Sequence, residues 1–412
     1  MDKNLTVCLL NDSFPPVIDG VSNAVFNYAD VINKCYGSAI VCTPRYPGVN
    51  YNYSFPVFRY PSIKTPKTSG YRTGIPLLSG KMKDFAKQHV DIIHTHCPFA
   101  SSLMARTLRT QIHKPIVFSY HTKFDIDIAQ SFESELMQKQ AINFVVANIE
   151  QSDEVWVVSN GAGENLRSLG YCGELHVMEN GVDFPKGKSD APAVELLRET
   201  HGLSSDVPVF LFVGRMRWYK GIRIILDGLL KAKALGSRFK MIFVGGGDDY
   251  SDIVQYAKTT GLSGDCIFTG PILDREALRT YFSVCDMFLF PSTYDTNGIV
   301  VREAAACCAA SLLVRESAAA EGIIDGQNGI LIDENSESLA SAIVNLSSNI
   351  GFMKSLGERA QAELYLSWEE AVGRAYERYK VVDEKFCSGS ELELHRKRKA
   401  KERRAWHDTN NC

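Results

Sequence analysis

Short apolar runs alternate with longer amphipathic stretches along almost the whole chain. A strand covered on both faces shows a continuous apolar run, whereas a helix lying on a sheet shows a stripe of 3.6-residue period. On that basis strands are expected at 5–10, 39–43, 57–60, 90–94, 115–120, 154–158 and 174–178, and again at 209–213, 240–244, 266–269, 287–290, 311–314 and 328–332. Helical stretches fall between them, at 23–34, 100–109, 133–149 and from 161 to 169. They resume at 195–201, 222–235, 250–259, 276–282, 336–345 and 353–362. Strand–helix alternation of this kind predicts an α/β chain whose sheets are parallel. The pattern runs twice. Between the two arrays lies a polar stretch, PKGKSDAP at 185–192, which reads as a domain boundary. A site between two such lobes is the default expectation.

Two regions break the pattern. Residues 44–80 are rich in aromatics, Pro and Gly, with the strand at 57–60 the only regular element expected there. With the following stretch they carry Lys64, Lys67, Arg72, Lys81, Lys83 and Lys87, and Leu78, Met82 and Phe85 recur at helical spacing. The region reads either as a surface helix packed on a sheet or as a surface that meets an anionic membrane and admits a lipid or glycan acceptor. At the other end, an amphipathic stretch at 368–380 precedes a basic one, RKRKAKERR, at 396–404. That segment reads as a solvated terminus or as an attachment to anionic lipid. No RNA-binding module accompanies it.

Composition narrows the class. The chain has 412 residues, 45% hydrophobic and 23% charged, with a formal charge of -3, which is ordinary for a globular protein and gives no reason to expect nucleic acid as a partner. Met1 to Lys3 lead directly into the first strand, so no signal peptide is expected, and no apolar run reaches transmembrane length. The 11 cysteines follow no metal-ligand spacing, and Cys8, Cys42 and Cys285 sit in apolar runs, so a reduced cytosolic compartment is expected.

The candidate chemistry gathers where strands end. At 290–306, FPSTYDTNGIVVREAAA, a strand stops at Pro291-Ser292, a polar loop follows, and Gly298 opens an Ala-rich helix. Free N–H groups at a helix start bind anions, while Asp295 and Glu303 can accept hydrogen bonds from hydroxyls. Amides for phosphate beside carboxylates for hydroxyls suit a nucleotide-sugar. Arg215 and Lys220 follow another strand end, five residues apart in a Gly-bounded turn. They read as surface cations singly, and as a diphosphate clamp together with the other strand ends. Such a clamp stabilises the charge of a departing diphosphate without a metal. Gly20 and Val21 open the first helix, where Gly allows close backbone approach to a ligand or serves as a plain turn glycine. His121 ends a strand, where α/β sheets take their ligands, and reads as a substrate contact or as a satisfied core histidine. His94, His96 and His121 lack zinc-motif spacing, so no metal is expected. Neither GxGxxG at Gly20 nor GxxxxGK[ST] occurs, which removes the simplest grounds for NAD or ATP.

In order along residues 5 to about 340, the motifs DSFPP…GV (12–21), SYHT (119–122), SNG (159–161), NGVD (180–183), GR…KG (214–221), GGG (245–247), FTG (268–270) and PS…E (291–303) make the chain resemble the retaining GT-B glycosyltransferases of family 4. The resemblance implies two Rossmann-like, doubly wound parallel-sheet domains facing a cleft: 1–184 for the acceptor and 185–367 for the nucleotide-sugar. It further implies a helix at 368–385 crossing back to the first domain, leaving 386–412 as a basic tail. It gives Arg215 and Lys220 the diphosphate, Asp295 the sugar hydroxyls and Glu303 the ribose. Gly298, Ile299 and Val300 would offer amides, Gly20 and Val21 would abut the donor phosphate, Gly270 would lie near the base, and His121 beside the reacting face of the sugar. Family members normally carry Glu at the first acidic position, so Asp295 is one methylene shorter. No cofactor or divalent metal is implied.

The variant TYDTNGIVVREA, with SYHTKFD, looks most like enzymes that place glucose or a related hexose on diacylglycerol. The implied reaction moves a hexose from UDP-hexose to a lipid hydroxyl with an α-linked product, at the inner face of the cell membrane, on a peripherally attached cytoplasmic enzyme. The other readings are a family 4 enzyme acting on a soluble sugar, sugar-phosphate or polysaccharide, and a non-catalytic nucleotide-sugar-binding protein.

Overall fold

The computed structural model describes residues 4–17, 19–48, 52–64, 72–75, 89–296 and 298–388. The chain falls into two compact units, Met1–Asn180 with Trp368–Cys412, and Gly181–Ser367.

The first unit contains β1 (Thr6–Leu10), β2 (Ser38–Pro44), β3 (Val57–Tyr60), β4 (Ser62–Lys64), β5 (Arg72–Gly74), β6 (Ile92–Thr95), β7 (Ile116–Tyr120), β8 (Glu154–Val157) and β9 (His176–Val177). Seven of them form one sheet in the order β3-β2-β1-β6-β7-β8-β9, every pair parallel. The second unit holds β10 (Val209–Val213), β11 (Lys240–Val244), β12 (Cys266–Gly270), β13 (Met287–Phe290), β14 (Ala310–Val314) and β15 (Gly329–Ile332), ordered β12-β11-β10-β13-β14-β15 and again parallel. Both sheets therefore grow outward in two directions from a central pair, β1/β6 in one and β10/β13 in the other, which is the Rossmann order. The apolar runs explain it: β10 (VFLFV) and β13 (MFLF) are buried along their whole length. Such strands are stable only inside a sheet covered on both faces.

The central pairs position the chemistry. Where strand order reverses, two neighbouring strands send their following helices to opposite faces, and a crevice opens at their carboxyl ends. In the first unit this brings the segments after Leu10 and Thr95 together, since Leu10 is in register with Thr95. In the second it brings together the segments after Val213 and Phe290.

The long final helix, Trp368–Cys387, belongs to the first unit. Its Tyr376 hydroxyl accepts from the Leu5 N–H at 2.6 Å, and Tyr379 stacks on Trp156 with ring centroids 4.9 Å apart. Arg378 grips Glu154 with two hydrogen bonds, at 2.8 and 2.7 Å.

Several elements differ from the sequence expectation. The first helix starts at Gly20 and runs to Val31, with Asp19 capping the Ser22 N–H, and a π-helical turn follows at Ile32–Tyr36. The helix expected at 133–149 runs over Glu135–Ile149, and an unexpected helix, Phe124–Ser131, precedes it, the two separated by extended backbone at Phe132. The strand at 174–178 shortens to β9. The insertion carries, besides β3, an antiparallel hairpin of β4 and β5. The amphipathic pattern at 78–85 and the basic segment at 396–404 lie outside the described residues. Among the described residues every cysteine is a free thiol, and no helix is long and apolar enough to cross a membrane.

Candidate active site

In the second unit the loop after β10 ends in a single 3-10 turn, Trp218–Lys220. The next residue, Gly221, has φ of 77°, and a Cβ there would stand 2.2 Å from the Pro291 carbonyl oxygen. Only glycine lets the two loops touch, and their contact brings Lys220 to the end of β13. Lys220 is buried, and its Nζ donates to Asp295 Oδ1 at 2.7 Å. The Ser292 hydroxyl donates to Asp295 Oδ2 at 2.6 Å. The Tyr294 ring lies 4.7 Å from the ammonium, with the Tyr219 ring 4.6 Å from Tyr294. An expected phosphate cation and an expected sugar-hydroxyl acceptor thus form one ion pair. Arg215 is exposed and joins no ion pair among the described residues.

Gly298 precedes the helix Ile299–Ala306 in left-handed conformation, with φ of 56°. A Cβ there would come within 2.9 Å of that of Ala319, so any larger residue is opposed by both backbone and packing. Its N-cap residue, Gly298, has no side chain to offer the helix, and free amides in a first helical turn carry partial positive charge that favours an anion. Ile299 and Val300 stand in that turn. One turn further, Glu303 is buried, and Arg275 donates from Nη2 to its Oε1 at 2.5 Å. Burial pushes the Glu303 carboxyl above its ordinary value, the neighbouring Arg275 guanidinium pulls it back, and Asp183 raises it further. Gly270 ends β12, its carbonyl accepting from the Gly245 N–H at 3.0 Å. Phe268 stacks on Phe243 at 4.9 Å.

In the first unit, residues that stand out in the sequence prove to have local structural work. Asp12 accepts from the Ala100 and Ser101 N–H groups at 3.1 and 2.7 Å, and so satisfies the start of helix Ala100–Ile112. Ser159 caps helix Asn160–Ser168 through the Ala162 N–H. Gly20 is exposed at its helix start, with no atom within 4 Å of where a Cβ would be, and Val21 follows half-buried.

His121 has company. Its Nε2 lies 2.9 Å from His96 Nδ1, with the two rings stacked at 5.1 Å. The His96 ring is 4.0 Å from that of His94. His94 is bracketed in turn by the Tyr379 hydroxyl at 2.5 Å and the Ser119 hydroxyl at 2.8 Å. Burial drives all three imidazoles toward the neutral form, His94 and His96 well below the ordinary histidine value and His121 to about 4. The three rings gather in a row, with His96 and His121 hydrogen-bonded and stacked and His94 tilted against His96. Among the described residues no group of three or more His, Cys, Asp or Glu side chains is placed to hold a metal ion.

Sequence reasoning missed Arg275 and the His96–His121 contact. For Arg275 a faint signal existed: it opens helix Arg275–Val284, where the macrodipole disfavours a cation.

The chain is similar to known proteins in sequence and in fold. Residues 193–363 match the family described as "Glycosyl transferases group 1" and residues 18–185 match "Glycosyltransferase Family 4", one in each unit. The chain is 22% identical over 307 residues to the alpha-monoglucosyldiacylglycerol synthase of Streptococcus pneumoniae, covering 73% of this chain and 69% of that one. It is 24% identical over 340 residues to the GDP-mannose-dependent alpha-mannosyltransferase of Corynebacterium glutamicum, covering 80% and 77%. In fold it resembles the crystal structure of Anabaena HepE in complex with UDP and glucose, with a TM-score of 0.72 and 17% identity, over 92% of this chain and all of that one.

Proposed function

We propose, from the premise that this chain is a nucleotide-sugar-dependent glycosyltransferase of the GT-B superfamily, that it transfers a hexose, glucose, from UDP-hexose to the free hydroxyl of diacylglycerol and forms an α-glycosidic bond. The observation that carries the donor half of this reading is the Lys220–Asp295 pair at the β10/β13 switch point, beside the helix that starts after Gly298. The diphosphate faces Lys220, Arg215 and the amides of Ile299 and Val300. Glu303 takes the ribose hydroxyls, Asp295 the sugar hydroxyls, and Gly270 lies near the base. We assign Gly20 and Val21 a role toward the donor phosphate and His121 a role toward the sugar.

Chemically, the bond from C1 to the β-phosphate oxygen breaks as the acceptor oxygen bonds to C1 on the same face. The acceptor proton goes to the departing diphosphate, and UDP leaves with the bonding pair. No carboxylate nucleophile is assigned. Lys220, Arg215 and the helix start bear the charge of the leaving group, which is the role that electrostatic preorganisation plays best. The neutral state of His121 suits a hydrogen-bonding contact and not a cation.

The acceptor half rests on the resemblance of the 293–304 segment, on the pneumococcal relative and on the basic, aromatic insertion. We place the enzyme at the cytoplasmic membrane face, with the basic tail as an electrostatic anchor. A second reading, in which the donor is GDP-mannose, is favoured by the Corynebacterium relative. Proton NMR of the glycolipid product decides the chemistry. An α-anomeric glucosyl signal, formed in EDTA, is expected. A β-linked product, or mannose in place of glucose, would overturn the corresponding part.

A further inference from the structure

Glu303 is a buried carboxylate with one oxygen spoken for. Arg275 donates to Oε1, and Oε2 has no hydrogen-bond partner among the described residues. Arg275 itself is held from three sides. Its Nη2 also lies 3.4 Å from Asp183 Oδ2, and its guanidinium carbon sits 4.4 Å from the centroid of the Phe184 ring. Its side chain remains 43% exposed, so this is a contact at the edge of a crevice and not a core ion pair. A cation at the first position of helix Arg275–Val284 works against that helix, whose start Asp274 already caps through the Ala277 N–H at 2.7 Å. The arginine contributes little to its own element and is turned toward another.

We propose that Arg275 is a positioning residue for nucleoside diphosphate recognition: by fixing Oε1 of Glu303 it leaves Oε2 aimed to accept from the ribose hydroxyls. The proposal rests on the reading of Glu303 as the ribose acceptor. An arginine fork is suited to this because its planar donors fix the plane of the carboxylate as well as its place. Asp183 and Phe184 hold the guanidinium at the height that Glu303 requires. The expected consequence is specific: Arg275 matters only for ligands that possess ribose hydroxyls.

Isothermal titration with UDP and GDP and with their 2′,3′-dideoxy forms tests it, on the full chain and on Arg275→Met, Arg275→Lys, Glu303→Gln and the Arg275→Met/Glu303→Gln double variant. Arg275→Met should weaken binding of the ribonucleotide about tenfold, on the order of one charge-assisted hydrogen bond, and leave the dideoxy form unchanged. Unchanged dideoxy affinity also certifies that the variant is folded. Arg275→Lys should recover part of the loss, and the double variant should bind no worse than Glu303→Gln. Equal weakening of ribo and dideoxy forms by Arg275→Met would overturn the proposal, as would no weakening of either. If Glu303→Gln erases the ribo preference while Arg275→Met keeps it, Arg275 alone is misassigned. If the parent protein shows no ribo preference and Glu303→Gln changes nothing, the ribose role of Glu303 falls, and the proposal with it.

Discussion

Lys220 and Asp295 make opposite predictions although they touch. The ammonium is neutralised by a carboxylate 2.7 Å away, with side-chain exposures of 7% and 24%. A diphosphate entering the site offers Lys220 a second anion. Lys220→Met removes a charge-assisted hydrogen bond worth about 1.5–3 kcal/mol, which raises the Kd for UDP roughly 10- to 150-fold. Asp295→Asn does the reverse. It keeps the shape of the side chain, removes the competing charge and frees Lys220 from a partly exposed pair worth at most about 1 kcal/mol. UDP should then bind equally well or up to about fivefold more tightly, while turnover falls because the sugar has lost its anionic hydroxyl acceptor. Calorimetric titration with UDP, alongside steady-state transfer from UDP-glucose, reads both effects. The reasoning fails if Asp295→Asn weakens UDP as much as Lys220→Met does, or if Lys220→Met leaves the Kd unchanged.

Three further perturbations follow from the packing. Gly221→Ala forces a side chain onto the Pro291 carbonyl at a φ of 77°, and the backbone strain alone costs about 1–3 kcal/mol. A lower melting temperature with lost UDP binding is expected, and an unchanged melt would show that the two loops do not touch. Arg378→Ala leaves Glu154, 9% exposed at its side chain, with Trp156 and His176 as its remaining partners among the described residues, at a cost of about 2 kcal/mol. Amide exchange along 368–387 should quicken, and unchanged protection there would count against the pair as an anchor. The histidine chain predicts acid lability. All three imidazoles are held below their unfolded value near 6.5, so folding is favoured above that pH and weakens as pH falls toward the folded values, His121 reaching about 4. For His121 alone this is at most about 3 kcal/mol. The thermal midpoint should drop between pH 7 and pH 4.5, and by less in His94→Gln; equal drops in the two proteins would deny His94 its part.

Much of the fold was legible because parallel strands buried on both faces announce themselves. VFLFV at 209–213 and MFLF at 287–290 match β10 and β13 to the residue. Register and order were not in the runs themselves: strand–helix alternation implied parallel sheets, and the doubly wound arrangement came from the family resemblance. Short strands with less apolar character were harder: β4 and β5 pair through only three residues each and hide in a polar, Gly- and Pro-rich stretch. Helix Phe124–Ser131 was missed because its sequence, FDIDIAQS, has almost no apolar stripe. At the candidate site the sequence supplied residues but not partners. Lys220 and Asp295 are 75 positions apart, and Arg275 and Glu303 are 28 apart. Neither spacing reflects a local period, so both contacts arise only from the order in which the strands assemble. The same holds for His96 and His121, brought together because β6 and β7 are neighbours.

The most direct test of the central claim is turnover from a panel of UDP- and GDP-hexoses in EDTA, with and without diacylglycerol in anionic vesicles. Transfer from UDP-glucose that depends on diacylglycerol is the predicted result. Transfer only to soluble acceptors, or only from a GDP-hexose, would contradict the assignment of a lipid glucosyltransferase.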